Sequence, residues 1–200
     1  MSEMSGRGPD LRDSRKYGDQ GNTTMSFIIE TERLGMREFG PEDADDFFAL
    51  CTNPQVMKYI GGEDVPANVE AMRDKIVAHP DYKRHGFGRW ACIHKATGRL
   101  IGFTGLKRLE DFGGDVDLGY RFLPEFWRQG LATESGLPCI RYGFEVLGLD
   151  RIIGLAIPEN VASVRVLEKC GMTFERFVDD PQAGQVALYS ILLATPNDNE

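Results

Sequence analysis

The spacing of apolar positions changes period several times along the chain, and each change predicts an element. Phe27 to Phe39 reads as a strand, after which Pro41-Glu42-Asp43 opens a helix with proline and acids in its first turn. That helix runs through Phe47, Phe48 and Leu50 until Pro54 stops it. Pro66 to Ala78 carries Val69, Met72 and Ile76 at three- and four-residue spacing, which predicts a second helix. Gly88 to His94 and Arg99 to Leu109, joined by Lys95-Ala96-Thr97-Gly98, form a hairpin, and Asp115 to Leu123 adds a strand after Gly113-Gly114. From Gly130 to Leu147 the period is helical, with Ala132, Gly136, Ile140, Phe144 and Leu147 on one face and small residues where the helix approaches a sheet. The nearly all-apolar Arg151–Ile157 is a strand buried on both faces, and Asn160 to Cys170 is a helix ended by Gly171. Met172 to Val178 and Val186 to Leu193 close the chain as two strands. Strands first, then strands alternating with helices, predict an α+β fold around a mixed sheet.

Met1 to Thr24 shows neither period, has almost no aliphatic residues and is rich in Gly, Ser, Asp and Arg. It is expected to be a disordered tail ahead of one domain over 25–196, with a short tail at 197–200. Met25 is an alternative start to Met1. Within the first tail Arg7, Arg12, Arg15 and Lys16 balance Glu3, Asp10, Asp13 and Asp19, so the body carries the net charge of −8. That balance argues against binding a nucleic-acid backbone and favours a cationic partner. No apolar run approaches the ~20 residues that span a bilayer, so no membrane partner is expected.

Cys51, Cys92, Cys139 and Cys170 form no C-x-x-C pair, and His79, His85 and His94 are dispersed, so no metal site is expected. Four buried thiols without a signal-peptide pattern point to the reducing cytoplasm.

Chemistry concentrates between Asp115 and Met172. The strand V-D-L-G-Y-R-F-L meets the turn P-E-F-W and then R-Q-G-L-A-T, which opens the long helix. Free backbone N–H groups converge there beside a residue without a side chain, a geometry that binds anions. Gly130 lets a phosphate approach the main chain, Ala132 keeps the approach open, and Arg128 adds positive charge at the rim. Neither classical nucleotide loop is present.

These residues resemble the GNAT superfamily of acyl-coenzyme A dependent N-acetyltransferases, and within it the group that includes the ribosomal-protein N-terminal (Rim-type) enzymes. Three blocks carry the resemblance in order: I-E-T-E-R-L-G-M-R-E-F at Ile29–Phe39, L-G-Y-R-F-L-P-E-F-W-R-Q-G-L-A-T-E at Leu118–Glu134, and P-E-N-V-A-S-V-R-V-L-E-K-C-G-M at Pro158–Met172. Trp127 stands where the family pattern has Gln or Arg, which leaves more of the pyrophosphate contact to backbone. The resemblance implies a mostly antiparallel, splayed sheet flanked by helices. It also implies acetyl-CoA as cosubstrate, with its pyrophosphate on the N–H groups of Gln129, Gly130, Leu131, Ala132 and Thr133 and its pantetheine arm on backbone near Phe122. Asn160 would hold the arm from the other side, and Ser163 would protonate or stabilise the departing thiolate.

The attacking amine must be neutral, so a base is needed. Val116, Leu118, Tyr120 and Phe122 are the apolar alternate positions of their strand, which puts Asp117 on the opposite face, beside the expected thioester. Asp117 is the first candidate base; Glu125 and Glu63 remain others. The expected activity is acetyl transfer to a primary amine, either a protein N-terminus or a small cationic amine. Acceptor residues are expected from Tyr59 to Arg89, with Gly61-Gly62-Glu63-Asp64 on the cleft rim. Two alternatives stay open: a catalytically silent acyl-CoA-binding module, and either a monomer or a homodimer.

Overall fold

The computed structural model describes residues 26–60, 65–79 and 81–194. The expected tails at 1–24 and 197–200, Met25, and the Gly61–Asp64 loop with Glu63 lie outside them. Eight strands form one sheet: β1 (Ile29–Glu30), β2 (Leu34–Arg37), β3 (Arg89–His94), β4 (Arg99–Leu109), β5 (Asp115–Phe122), β6 (Arg151–Ala156), β7 (Thr173–Asp180) and β8 (Gly184–Leu192). Their order across the sheet is β1-β2-β3-β4-β5-β6-β8-β7. Every neighbouring pair is antiparallel except β5 with β6, which run parallel and meet in register only at Asp117↔Ile153. The predicted mixed, mostly antiparallel sheet flanked by helices is therefore what the chain forms.

Helices cover both faces: α1 (Ala44–Thr52), α2 (Pro54–Met57), α3 (Val69–Ala78) and α4 (Asp81–His85) precede β3, while α5 (Leu131–Glu145) and α6 (Val161–Lys169) flank β6. Alternation along β4 shows the division. Phe103 packs with Leu50 of α1, whereas Thr104 bonds Ser135 of α5 at 2.8 Å. α5 lies so near the sheet that a Cβ on Gly143 would come within 2.6 Å of Ile152 Cδ1. Trp90, Leu106, Leu118, Ile152 and Leu167 fill the core beneath it. All four cysteines are buried thiols, as the sequence leads one to expect.

Two differences from the sequence reading have local causes. The first strand is a hairpin, broken where Thr31 N–H turns back to the Leu34 carbonyl at 2.8 Å. Pro54 does end α1, but it also occupies the first turn of α2, because the Asn53 side chain accepts from Gln55 N–H at 3.0 Å and Val56 N–H at 3.3 Å and caps a new helix.

Candidate active site

The cradle forms as its residue types dictate. A 3-10 turn at Pro124–Phe126 ends β5, and Arg128 and Gly130 both adopt positive φ, 60° and 79°. Extended Trp127 is followed by left-handed Arg128 and Gly130, which turns the chain sharply into α5, and the first N–H groups of α5 lack partners within the helix. Arg128 is the described non-glycine residue held in this conformation, at a cost of about 1–2 kcal/mol. Side chains brace the turn. Gln129 Nε2 donates to the Glu125 carbonyl at 2.8 Å, and Trp127 Nε1 donates to the Phe122 carbonyl at 2.6 Å. Leu131 is buried and anchors the helix, while Gln129 and Gly130 before it are exposed.

Beside the cradle the sheet opens. Leu123 N–H bonds Ile101 in β4, so odd residues of β5 aim their peptide groups at β4, while Tyr120 and Phe122 aim theirs into the gap toward β6. With the Phe122 carbonyl taken by Trp127, the Phe122 N–H and the peptide groups of Tyr120 remain directed there.

Two cavities meet at this gap. The larger, about 900 Å³, runs along the cradle and α6 and is lined by Phe122, Arg128, Gly130, Leu131, Ala132 and Thr133. The smaller, about 570 Å³, lies on the α1 and α3 side and includes Phe47, Met72, Arg89, Phe103 and Asp117. Both are lined by Tyr59, Ile60, Tyr120, Arg121, Asn160 and Ser163. At this junction Asn160 caps α6 by accepting from Ser163 N–H at 3.2 Å. Tyr120 Oη donates to the Ser163 carbonyl at 2.8 Å and lies 3.1 Å from Ser163 Oγ. Burial holds the Tyr120 phenol well above its ordinary pKa, so at neutral pH it carries its proton.

Charge is distributed unevenly. Lys58, Arg128, Arg165 and Lys169 line the larger cavity with no carboxylate among its lining residues, and none of the four forms an ion pair with a described carboxylate. Sequence reasoning missed three of them. Arg165 and Lys169 stand four apart on α6, the spacing that puts two side chains on one face, and that was the available signal.

Asp117 lines the smaller cavity on the face opposite Leu118 and Tyr120. Its Oδ2 receives the Arg89 guanidinium, and its Oδ1 accepts from Leu155 N–H at 3.2 Å. The Leu155 amide has lost its place in a β5–β6 ladder, so the carboxylate takes over where the strands part. Arg89 also donates to the Asp117 carbonyl at 2.9 Å. Glu125 lies outside both cavities, 3.5 Å from Arg99. His79, one of the three dispersed histidines and within the expected acceptor stretch, lines the smaller cavity; burial, reinforced by Lys107 and Lys75, depresses its pKa despite Asp81. Among the described residues no group of His, Cys, Asp and Glu could hold a metal, and no helix is long and apolar enough to cross a membrane.

The fold is a mixed sheet parted between β5 and β6, with two chambers that meet at the gap. A profile of the acetyltransferase (GNAT) domain matches residues 33–173. The uncharacterized N-acetyltransferase YoaA of Bacillus subtilis is 34% identical over 148 residues, covering 74% of this chain and 84% of that protein. A crystal structure of a GNAT-family acetyltransferase from Bacillus anthracis matches with a TM-score of 0.68 at 28% identity, over 82% of this chain and 97% of the other. Spermidine N-acetyltransferase from Vibrio cholerae, solved with CoA and spermine, shares the fold with a TM-score of 0.67 at 20% identity, over 81% of this chain and 96% of that one. The chain belongs to the GNAT family of acyl-CoA-dependent N-acetyltransferases, as its three sequence blocks indicated.

Proposed function

We propose that the larger cavity takes acetyl-CoA and the smaller a primary amine, and that the acetyl group passes directly between them at Tyr120 and Ser163. The observation that carries this reading is the meeting of the two chambers at that pair, with four cations and the cradle on one side only. A body of net charge −8 has concentrated positive charge where a polyphosphate would lie.

The N–H groups of Gln129 to Thr133 and the Arg128 guanidinium would hold the pyrophosphate. Lys58, Arg165 and Lys169 would meet the remaining phosphate charge, and the Phe122 and Tyr120 peptide groups the pantetheine arm. Acetyl-CoA supplies an activated thioester. Tyr120 fixes Ser163 in the first turn of α6, and the Ser163 hydroxyl would hand its proton to the departing thiolate while taking one back from the water that receives the ammonium proton. An N–H of β5 in the gap would stabilise the negative oxygen formed during attack. For Asp117, with both oxygens engaged, we assign a positioning role: it holds the parted strands, and the ammonium proton leaves through water in the smaller cavity. Four buried thiols fit work in the reducing cytoplasm.

Thermal unfolding with and without acetyl-CoA tests the donor site. Ligand at about 100-fold over its Kd adds ~2.7 kcal/mol, a rise of roughly 5–11 °C for a chain of this size. Loss of that rise in Gly130→Glu, with transfer to amines by the wild type, supports the reading. A rise without transfer to any amine identifies a silent binding module, and no rise overturns the donor site.

A further inference from the structure

β7 closes one end of the sheet, and among the described residues its strand partner is β8 alone. An open edge invites another strand, and proteins blunt it by shortening or charging it. The opposite end is short, since β1 has two residues. β7 has eight, most of them exposed.

A bulge sorts its side chains. The register shifts between Phe174, opposite Tyr189, and Arg176, opposite Leu188, so Glu175 is the extra residue. Phe174 and Phe177 then stand opposite Tyr189 and Ala187, two apart on β8, and share one face. Their ring centroids lie 5.1 Å apart, and the Phe174 ring meets Tyr189 edge-on at 5.7 Å. Tyr189 and Ala187 are buried in the core, whereas Phe174 and Phe177 remain 49% and 53% exposed. Glu175 and Arg176 occupy the other face. Arg176 is opposite Leu188, and Glu175 takes Arg151 at 2.9 Å, whose register partner Leu192 shares the side of Leu188. Arg176 reaches its neighbour Glu175, and its side chain is 58% exposed.

The segment F-E-R-F at Phe174–Phe177 is complementary to its own reverse. Laid antiparallel about a two-fold axis between Glu175 and Arg176, two such edges set Phe174 against Phe177 of the second copy on one face. On the other face they set Glu175 against Arg176 of the second copy. A slip of one residue would oppose Glu175 to Glu175 or Arg176 to Arg176, so the charges select one register. Asp179 and Asp180 fall opposite Met172 and Gly171 and do not face each other.

We infer that the protein forms a two-fold homodimer through antiparallel contact of its β7 edges, with Phe174–Phe177 at the axis. A second copy fits this edge because one axis satisfies its aromatic and its charged face together. Each edge is used up by the other, so the assembly closes at two.

Light scattering after size exclusion, with circular dichroism to confirm folding, tests it. The wild type should show twice the mass of the chain and Phe177→Asp the mass of one. Arg176→Glu and Glu175→Arg each put like charges face to face and should weaken dimerisation at least about tenfold. Mixed, these two variants should form a heterodimer, because each Glu then meets an Arg again. Should Glu175→Arg fail to fold for want of its pair with Arg151, Phe177→Asp and Arg176→Glu decide. A monomeric or open-ended wild type, a dimer that survives Phe177→Asp or Arg176→Glu, or folded charge variants that do not associate on mixing would each overturn the inference.

Discussion

Glu134, in the first turn of α5, accepts a hydrogen bond from the Thr31 hydroxyl at 2.6 Å, joining residues 103 positions apart. The same carboxylate takes the Arg33 N–H at 2.9 Å and Arg33 Nε at 2.6 Å. The T-E-R block near the start of the chain therefore latches onto the helix that begins at the cradle. A negative group in a first helical turn is favoured by the helix dipole, and here it also ties the β1–β2 hairpin to that turn. Arg33 reaches close to Gly130, where a Cβ would lie 3.8 Å from its Nη2.

Removing this latch should cost stability and donor binding together. Glu134→Ala leaves Thr31 and Arg33 without their acceptor, and we expect a loss of about 2 kcal/mol, roughly 4–8 °C in Tm, with a weaker Kd for acetyl-CoA. The pH dependence has a definite sign. Burial opposes the charge on Glu134, but the bonds from Thr31 and Arg33 outweigh it and lower its pKa below the usual carboxylate value. Its contribution is thus fully present above about pH 4.5 and is lost as the pH falls through the lowered value. A scan of Tm between pH 6 and 3 should show a flatter acid limb for Glu134→Gln than for the wild type.

Gly130 is held at φ 79°, and the nearest atom that an added Cβ would meet is Arg33 Nη2 at 3.8 Å, so the penalty for a side chain is conformational and not steric. Gly130→Ala should cost about 1–2 kcal/mol. Gly130→Asn should recover part of that loss, because asparagine visits the left-handed region more readily. Calorimetric titration with acetyl-CoA should rank affinities as wild type, then Asn, then Ala. Equal affinities would mean that the cradle does not hold the donor.

Asp117 and Arg89 form a mostly buried ion pair, with side chains 10% and 20% exposed. Breaking such a pair by removing one charge typically costs about 3–5 kcal/mol, because the other is left uncompensated. Asp117→Asn should therefore lower Tm by roughly 6–20 °C and reduce kcat without moving the acid limb of the pH–rate profile. A variant that keeps its Tm, loses kcat and loses that limb would make Asp117 the base.

How far such features can be read from sequence depends on the range of the interaction. Gly130 and Asn160 announce themselves because backbone geometry at a helix start restricts residue choice, and the alternation along β5 puts Asp117 on its proper face. Its partner Arg89 is 28 residues away and Glu134 lies 101 from Arg33, distances at which no local pattern speaks. The helix α4, Asp81–His85, is too short for a period. The cations of the larger cavity, Arg121 among them, come from four separate stretches of chain, so their convergence is invisible in a net charge of −8.

Tyr120 and Ser163 provide the sharpest test of the transfer point. Ser163→Ala removes the hydroxyl that would protonate the thiolate, and general acid catalysis typically contributes 10²–10⁴-fold, so kcat should fall by about 10² while Kd for acetyl-CoA changes little. Tyr120→Phe removes the donor to the Ser163 carbonyl at 2.8 Å and the neighbour of Ser163 Oγ at 3.1 Å, and should lower kcat less severely. Because the two groups touch, their effects should not add: the double variant should be little worse than Ser163→Ala alone. The phenol keeps its proton well above neutral pH through burial, so Tyr120→Phe should leave the kcat profile between pH 6 and 9 unchanged in shape. Strictly multiplicative losses would mean that the residues act apart, and unchanged kcat in Ser163→Ala would move proton delivery to another group at the junction.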